Sequence, residues 1–256
     1  MTYQVLNGDA LAERFSALQL PGEMVVVREC MIEGDLSGGN LEEFYQRRAA
    51  YLERTYKESG RNYQDEVISE FAKITSAPAG SQVNLWFGYD LFCFANMLFV
   101  LSLIEPWSGD KQVCVVYPSH LSGNDVWLDF GGATAAQLQV CYNNRICCRV
   151  EDLQLARLLW QAYKTGNHAE LTRLSTTPTP VFPYLEQVCR AHIERFAPEG
   201  SIGRPERTIM QLLNTGLQDF SSLFKAFSAR EGIYGFGNAQ VARIYERVRA
   251  TRGNSK

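Results

Sequence analysis

Two similar junctions between a strand and a helix constrain the fold of this chain most. The first is an apolar run over residues 3–9 that stops at Asp9 and continues directly as an amphipathic helix. The second runs over residues 83–90, stops at Asp90 and continues as a helix predicted over residues 91–104. In an α/β sheet, ligands bind at the carboxyl ends of the strands. We therefore expect a binding site where these two strands end.

The first half of the chain alternates further strands with helices. Buried strands are predicted over residues 24–27 and 112–116, and amphipathic helices over residues 41–52 and 63–74. Strands that alternate with helices form a mainly parallel sheet that is covered on both faces. The sequence therefore predicts a three-layer, Rossmann-like α/β domain over residues 1–149.

The second half of the chain has helical periodicity. Residues 153–163 carry one apolar stripe, and a further helix is predicted over residues 184–196. The three predicted helices that follow cover residues 205–215, 220–230 and 238–249. Three short helices of this kind are typical of a helix-turn-helix or winged-helix unit. We expect an all-helical domain over residues 150–256, with a helix-turn-helix-like unit at about residues 203–250.

Composition and segment lengths indicate a cytoplasmic globular protein. Hydrophobic residues make up 46% and charged residues 21% of the 256 residues, which is ordinary for a globular protein. The most apolar stretch, residues 91–104, is shorter than the roughly 18 residues that a membrane span needs. The N-terminus has no basic segment followed by an apolar one, as a secretion signal does. We therefore predict a cytoplasmic location and no membrane partner.

The seven cysteines favour a reducing compartment. Their number is odd, most of them sit within apolar runs, and none has the C-x-x-C spacing that is typical of zinc sites. We expect reduced, mostly buried thiols. The adjacent pair Cys147 and Cys148 is interpreted as part of a strand, with redox activity as the less favoured alternative.

Polar, charged and aromatic residues follow three of the predicted strands at their carboxyl ends. The candidate ligand-binding residues are Asn7, Gly8, Asp9, Arg28, Glu29, Trp86 and Asp90. Two interpretations of Arg28 are open, because it can bind a phosphate or carboxylate or can neutralise a nearby acid such as Asp9. Trp86 likewise stacks on a base or sugar in one interpretation and packs in the core in the other.

The two aspartates, Asp9 and Asp90, are the candidates for catalysis. Carboxylates on one edge of a sheet can hold Mg²⁺, bind a ribose hydroxyl or act as acid and base. The alternative is structural, because aspartate is a favoured helix N-cap and contributes about 1 kcal/mol there. The chain has no G-x-G-x-x-G, G-x-x-x-x-G-K-[ST], H-E-x-x-H or G-x-S-x-G motif. A standard nucleotide-binding loop, a zinc hydrolase site and a serine triad are therefore not expected.

The C-terminal segment is basic, although the chain as a whole has a net charge of −3. Residues 200–256 contain nine Lys or Arg and four Asp or Glu. Arg243 and Arg247 are four residues apart and share one helix face. This face either contacts nucleic-acid phosphates, as a recognition helix does, or is solvated. The isoelectric point near 5.7 counts against extended nucleic-acid contact.

Several short segments of this chain occur in an order that a known family shares. They are residues 5–9, 27–29, 33–34, 41–44, 47–49, 85–91, 129–132, 159–163, 183–185 and 204–207. On these segments the chain resembles the bacterial family called domain of unknown function 1835. Family members often have an acid at the position of Gly88 and Asp at the positions of Glu29 and Asn238. The resemblance directs attention to Asp9, Arg28 and Asp90, and it implies no particular reaction.

These patterns lead to one functional hypothesis and two alternatives. The leading hypothesis is that the carboxyl edge of the sheet binds a small anionic ligand such as a nucleotide or sugar phosphate, and whether the ligand is also turned over is left open. In it, Asp9 and Asp90 bind metal or hydroxyl groups and Arg28 binds the anion. The first alternative is a nucleic-acid-binding regulator that uses Arg243 and Arg247. The second is a protein-interaction module without catalysis.

Overall fold

The protein contains one sheet of five strands. The computed structural model describes residues 1–56, 62–104, 111–119, 121, 125–196 and 201–253. In these residues the strands are β1 (Thr2–Asn7), β2 (Glu23–Val27), β3 (Gln82–Trp86), β4 (Gln112–Val116) and β5 (Ile146–Cys147). Their order is β2-β1-β3-β4-β5, and β5 is antiparallel to β4 while the other neighbours are parallel. The predicted α/β fold with a mainly parallel sheet is confirmed.

Five α-helices belong to the described part of the first half of the chain. They are α1 (Asp9–Phe15), α2 (Leu41–Tyr56), α3 (Ser69–Thr75), α4 (Leu91–Ile104) and α5 (Ala135–Asn143). A π-helical turn over Gln64–Ile68 precedes α3, so the helix predicted over residues 63–74 is made of two parts. No helix of the described residues is long and apolar enough to cross a bilayer.

The helices cover both faces of the sheet, because successive side chains of a strand point to opposite sides. Leu6 and Trp86 face the layer that contains α1 and α5. Val5 and Leu85 face the other layer, to which α2, α3 and α4 belong. Most residues of α4 are buried, which explains why this helix is apolar on all sides.

The second half of the described chain is helical and packs against the first. Its helices are α6 (Val150–Lys164), α7 (His168–Ser175), α8 (Leu185–Glu194), α9 (Arg204–Asn214), α10 (Phe220–Glu231) and α11 (Asn238–Gly253). Helix α6 lies against α4, and one apolar cluster contains buried residues from Tyr3 to Val248. The two halves therefore share a core. The structure assigns no strand within residues 201–253, so it describes no wing there.

Two of the cysteines are joined. Cys114 in β4 lies directly opposite Cys147 in the antiparallel strand β5, and the two form a disulfide. The expectation of reduced thiols is therefore wrong for this pair, because strand register brings together two residues that are 33 positions apart. Of the five free thiols, those of Cys30, Cys93, Cys141 and Cys189 are buried, and Cys148 is half-buried.

Candidate ligand-binding cleft

The order of the strands creates a crevice at the carboxyl edge of the sheet. From β1 the chain passes to β2 on one side, and β3 then pairs with the other side of β1. Ligands of open α/β sheets bind at such a reversal of strand order. Asn7 ends β1 and Asp90 follows β3, so both residues flank this crevice. The structure brings both of them to the wall of one cavity.

Two adjoining chambers occupy this edge. The small chamber has a volume of about 210 Å³, and its wall includes Asp9, Arg28 and Tyr56. The large chamber has a volume of about 620 Å³ and lies between the edge and the last helices, with Asp90 on one side and α10 on the other. The residues common to both walls are Asn7, Phe92 and Gln240. The chambers thus form one cleft.

Asn7 is held in place by a buried amide on α4. Its Nδ2 donates to Cys93 Sγ at 3.1 Å, and its Oδ1 accepts a hydrogen bond from Asn96 Nδ2 at 2.9 Å. Asn96 also donates to the Glu29 carbonyl at 2.8 Å and accepts from the Met31 amide at 2.9 Å. Asn96 therefore ties the ends of β1 and β2 together. The sequence analysis missed this residue, although an amide within an apolar stretch was a usable signal.

Asp9 and Arg28 form an ion pair on the wall of the small chamber. Arg28 Nε donates to Asp9 Oδ1 at 2.8 Å, and Arg28 Nη1 donates to the Glu66 carbonyl at 3.0 Å. The interpretation that Arg28 neutralises Asp9 is therefore correct for this structure. The side chains are partly open to solvent, with 51% of Asp9 and 23% of Arg28 exposed. Gly8, the turn residue before Asp9, lines the same chamber.

Asp90 differs from Asp9 because it is 3% exposed. Its Oδ1 accepts the backbone N–H of Cys93 at 2.9 Å, as the capping interpretation requires. Burial raises the pKa of Asp90 to about 6, and the charge of Asp129 adds to the shift. A carboxyl group with this pKa can accept or release a proton near neutral pH.

The turn after α10 closes over Asp90. Gly235 has a φ of 62°, and a Cβ atom on it would lie 1.9 Å from Asp90 Oδ1. Only glycine fits this approach, because a side chain here would collide with the carboxylate. The helical half of the chain thus forms one wall of the cleft at close contact.

The prediction that Trp86 contacts a ligand is wrong in this structure. Its side chain is completely buried among the residues facing α1 and α5, on the opposite side of the sheet from Leu85. The indole Nε1 donates to Gln4 Oε1 at 2.9 Å, and the ring stacks on Tyr142 at 5.9 Å. Trp127, which the sequence analysis did not select, lines the large chamber instead.

The prediction that the Glu29 carboxylate binds a ligand is also corrected. Glu29 borders the small chamber, but its side chain is buried and pairs with Arg48, Nη2 to Oε2 at 2.7 Å. The same carboxylate accepts hydrogen bonds from the Tyr63 hydroxyl and the Cys30 amide. With these partners it stabilises the loop after β2.

The two arginines predicted to contact nucleic acid are both ion-paired within the chain. Arg243 pairs with Glu33, donates to the Tyr56 hydroxyl at 3.1 Å and lies 4.7 Å above the Tyr56 ring. Arg247 pairs with Glu206 at 2.9 Å, with 61% of its side chain exposed. The interpretation of one solvated face is therefore wrong for Arg243, which fixes α11 against the loop after β2.

The described residues contain no group of three or more His, Cys, Asp or Glu side chains that could hold a metal ion. The Mg²⁺ ion considered from the sequence therefore has no such cluster at Asp9 or Asp90. What the cleft does offer is hydrogen-bonding groups, one partly exposed arginine, and carboxylates beside aromatic rings.

Comparison with known protein families, with curated proteins and with solved structures found no match for this chain. The geometry of the cleft is therefore the basis for inferring a function.

Proposed function

We propose that the cleft binds a small organic ligand through an anionic group, a carboxylate or phosphate, in the small chamber. The observation that carries this proposal is the position of Arg28 on a cavity wall at the reversal of strand order. Small-molecule sites are cavities in which a few placed polar groups fix the orientation of the ligand. Asn7, Tyr56 and Gln240 supply such groups beside Arg28.

Arg28 is suited to this role because its position is already fixed. Asp9 and the Glu66 carbonyl hold its Nε and Nη1 atoms, and 23% of the side chain stays exposed. A guanidinium group has five N–H donors, so these two bonds leave donors for a ligand anion. In this proposal Asp9 positions Arg28, and Asp90, with its raised pKa, is the residue able to exchange a proton with the ligand.

The finer assignments made from the sequence are part of this proposal. A Rossmann-like sheet is supported by the parallel strands and by the crevice between β1 and β3. The resemblance to the domain of unknown function 1835 family points to the same residues, Asp9, Arg28 and Asp90. It stays a prediction, because no comparison tests it. The cytoplasmic location stays a prediction.

Nucleic-acid binding by α9, α10 and α11 is the alternative, with a winged-helix-like unit as its structural basis. The ion pairs of Arg243 and Arg247 favour the small ligand over this alternative. We expect no binding of a fluorescent DNA duplex at low salt. Binding that weakens with salt and with Arg247→Glu would support the alternative instead.

A second alternative is a module that only binds proteins. In that case we expect an empty cleft and a stable protein partner.

The test is native mass spectrometry of protein purified from the cells that make it. Wild type is compared with Arg28→Gln and with the control Arg47→Gln, which removes an exposed arginine paired with Asp35 outside the cleft. We expect a small-molecule adduct in wild type and control and its loss in Arg28→Gln. A wild-type protein without any adduct, or an adduct that Arg28→Gln retains, contradicts the proposal.

A further inference from the structure

The large chamber is lined by three carboxylates that have no cationic partner among the described residues. Asp90, Asp125 and Asp129 line it, and none of them forms an ion pair with a residue that the structure describes. The fourth acid on the wall, Glu231, is already paired with Arg204 at 2.8 Å. None of the described residues therefore neutralises the negative charge at the other three positions.

Neutral donors hold these three carboxylates in place. Asp125 Oδ1 accepts the Trp127 amide at 3.0 Å, and Asp129 Oδ1 accepts the Gly131 amide at 2.7 Å. Asp90 Oδ1 accepts the Cys93 amide in the same way. Backbone amides orient a carboxylate without cancelling its charge. Asp90 is at the buried end of the chamber, whereas Asp125 and Asp129 are at its exposed side.

Aromatic rings form much of the remaining wall. Phe92 and Trp127 belong to the sheet half of the chain, and Phe224, Phe227 and Phe236 belong to the helical half. The face of an aromatic ring attracts a cation, most strongly for tryptophan. None of the described residues that line this chamber is Lys, Arg or His. The combination of rings and carboxylates thus favours a positively charged group and repels an anion.

A metal ion is not the cation that this wall fits. The described residues include no metal-binding group of three carboxylates, thiols or imidazoles. Phenyl rings supply no oxygen or nitrogen ligand, and Mg²⁺ and Ca²⁺ need six or more oxygen ligands, including water. The volume of about 620 Å³ is within the range of small-molecule sites.

We propose that the large chamber binds an organic cation, such as a protonated amine, a guanidinium or a quaternary ammonium group. This inference rests on the proposed function for the other end of the ligand, whose anionic group lies in the small chamber. Asn7, Phe92 and Gln240 border both chambers, so the two proposed subsites adjoin. The ligand class is therefore a small molecule that carries both charges.

The test is calorimetric titration of the intact protein with choline and with butylammonium. The matched neutral probes are 3,3-dimethyl-1-butanol and 1-butanol, which have nearly the same shape without the charge. We expect each cation to bind at least about tenfold more tightly than its neutral counterpart, a difference of about 1.4 kcal/mol.

Variants of the aspartates then show which side chains cause the preference for a cation over its neutral probe. The double variant Asp90→Asn/Asp129→Asn should lose most of the preference for the cation over the neutral probe, with Asp125 and the aromatic rings left in place. The single variant Asp129→Asn, at an exposed position, should reduce the preference and serves if the double variant does not fold. The control is Asp35→Asn, which alters the same kind of turn outside the cleft, where Asp35 Oδ1 accepts the Ser37 amide at 2.8 Å. It should leave the preference unchanged.

The outcomes separate this inference from the proposed function. Arg28→Gln should keep its preference for cations while losing the adduct seen by mass spectrometry. If neither cation binds better than its neutral probe, or if the Asp90 and Asp129 variants keep the preference, the cation chamber is wrong even where the adduct depends on Arg28. If the preference is present but the adduct does not depend on Arg28, the anionic site is wrong and the cation chamber stands.

Discussion

The acidic residues on the two sides of the cleft have different kinds of partner. On the side of β2, each of three acids has an arginine partner, in the pairs Asp9–Arg28, Glu29–Arg48 and Glu33–Arg243. On the side of β3, Asp90 and Asp129 are held only by neutral donors among the described residues: the amide and thiol of Cys93 donate to Asp90, and the Gly131 amide donates to Asp129. Removing the arginine from a buried pair destabilises the fold, and an unpaired buried acid opposes folding unless a ligand supplies the charge. The β2 side therefore holds the framework pairs and, at the partly exposed Arg28, the proposed anion site, whereas the β3 side is the place for the cationic group of the ligand.

The largest effect that tests this difference is expected at Arg48. Its side chain and that of Glu29 are both fully buried. Arg48→Met leaves the Glu29 carboxylate buried without a counter-charge, which lowers the free energy of unfolding by about 3–5 kcal/mol. Urea unfolding measures the loss. The neighbouring substitution Arg47→Met, in an exposed pair, is the control and should change it by less than about 0.5 kcal/mol. If Arg48→Met and Arg47→Met lowered the free energy of unfolding equally, the proposed difference between the buried pair and the exposed pair would be wrong.

On the β3 side, a substitution that removes a charge is expected to raise the free energy of unfolding instead of lowering it. The pKa of Asp90 is raised in the folded protein to about 6, from 3.8 without its environment, so folding is opposed when the carboxyl ionises. Asp90→Asn keeps the capping oxygen and removes this opposition. The variant should be more stable than wild type by roughly 2 kcal/mol at pH 7–8.

The pH dependence decides whether charge is the cause. The gain from Asp90→Asn should shrink as pH falls from about 6 towards 4, and it should vanish near pH 3, below the unfolded-state pKa of 3.8, where wild type is protonated both folded and unfolded. Thermal unfolding at several pH values measures this. Asp129, Asp125 and the Cys93 thiol lie around Asp90, and burial raises the pKa of this thiol well above its ordinary value. A gain that is the same at pH 4 and pH 8 would contradict the account.

A smaller effect distinguishes the two arginines of α11. Arg243 is partly buried on Glu33 and Tyr56, so Arg243→Met should lower the free energy of unfolding by about 1–2 kcal/mol. Arg247→Met removes an exposed pair and should change it by less than about 0.5 kcal/mol. Chemical unfolding of both variants provides the comparison. Similar small changes would mean that Arg243 does not fix α11 to the framework.

The smallest effect is expected at Asp9. Its pair with Arg28 is open to solvent, so Asp9→Asn should alter the free energy of unfolding by no more than about 0.5 kcal/mol. Loss of the carboxylate frees Arg28 from one of its supports, so the ligand adduct should decrease. A large loss of stability would show that Asp9 belongs to the structural framework and not to the binding site.

Local sequence patterns were sufficient for most elements of the fold. The strand predicted over residues 112–116 and the helix predicted over residues 91–104 have those bounds in the structure. The first is a short run rich in valine and the second is an apolar run of 14 residues, and their lengths separate the strand from the helix without tertiary information. Helix α7 (His168–Ser175) was not predicted, because it is short and lies between two turns of polar residues.

The sequence could indicate the edge of the sheet but not the partners of its residues. Asp9 and Asp90 have the same local setting, a strand end that leads into a helix, yet one is open and the other is buried beneath Gly235. Arg243 reaches Glu33 across 210 positions of the chain. Such pairings depend on how α11 packs on the sheet, and no local pattern records them.

The most direct test of the central claim follows the Asp90 carboxyl carbon by NMR as a function of pH, with and without choline. The account predicts a pKa of about 6 in the free protein. With choline beside the carboxylate, it predicts a fall of one unit or more, on the order of the shift that a nearby opposite charge causes. An ordinary pKa near 4 in the free protein, or a raised pKa that choline leaves unchanged, would contradict the claim that this side of the cleft binds a cation.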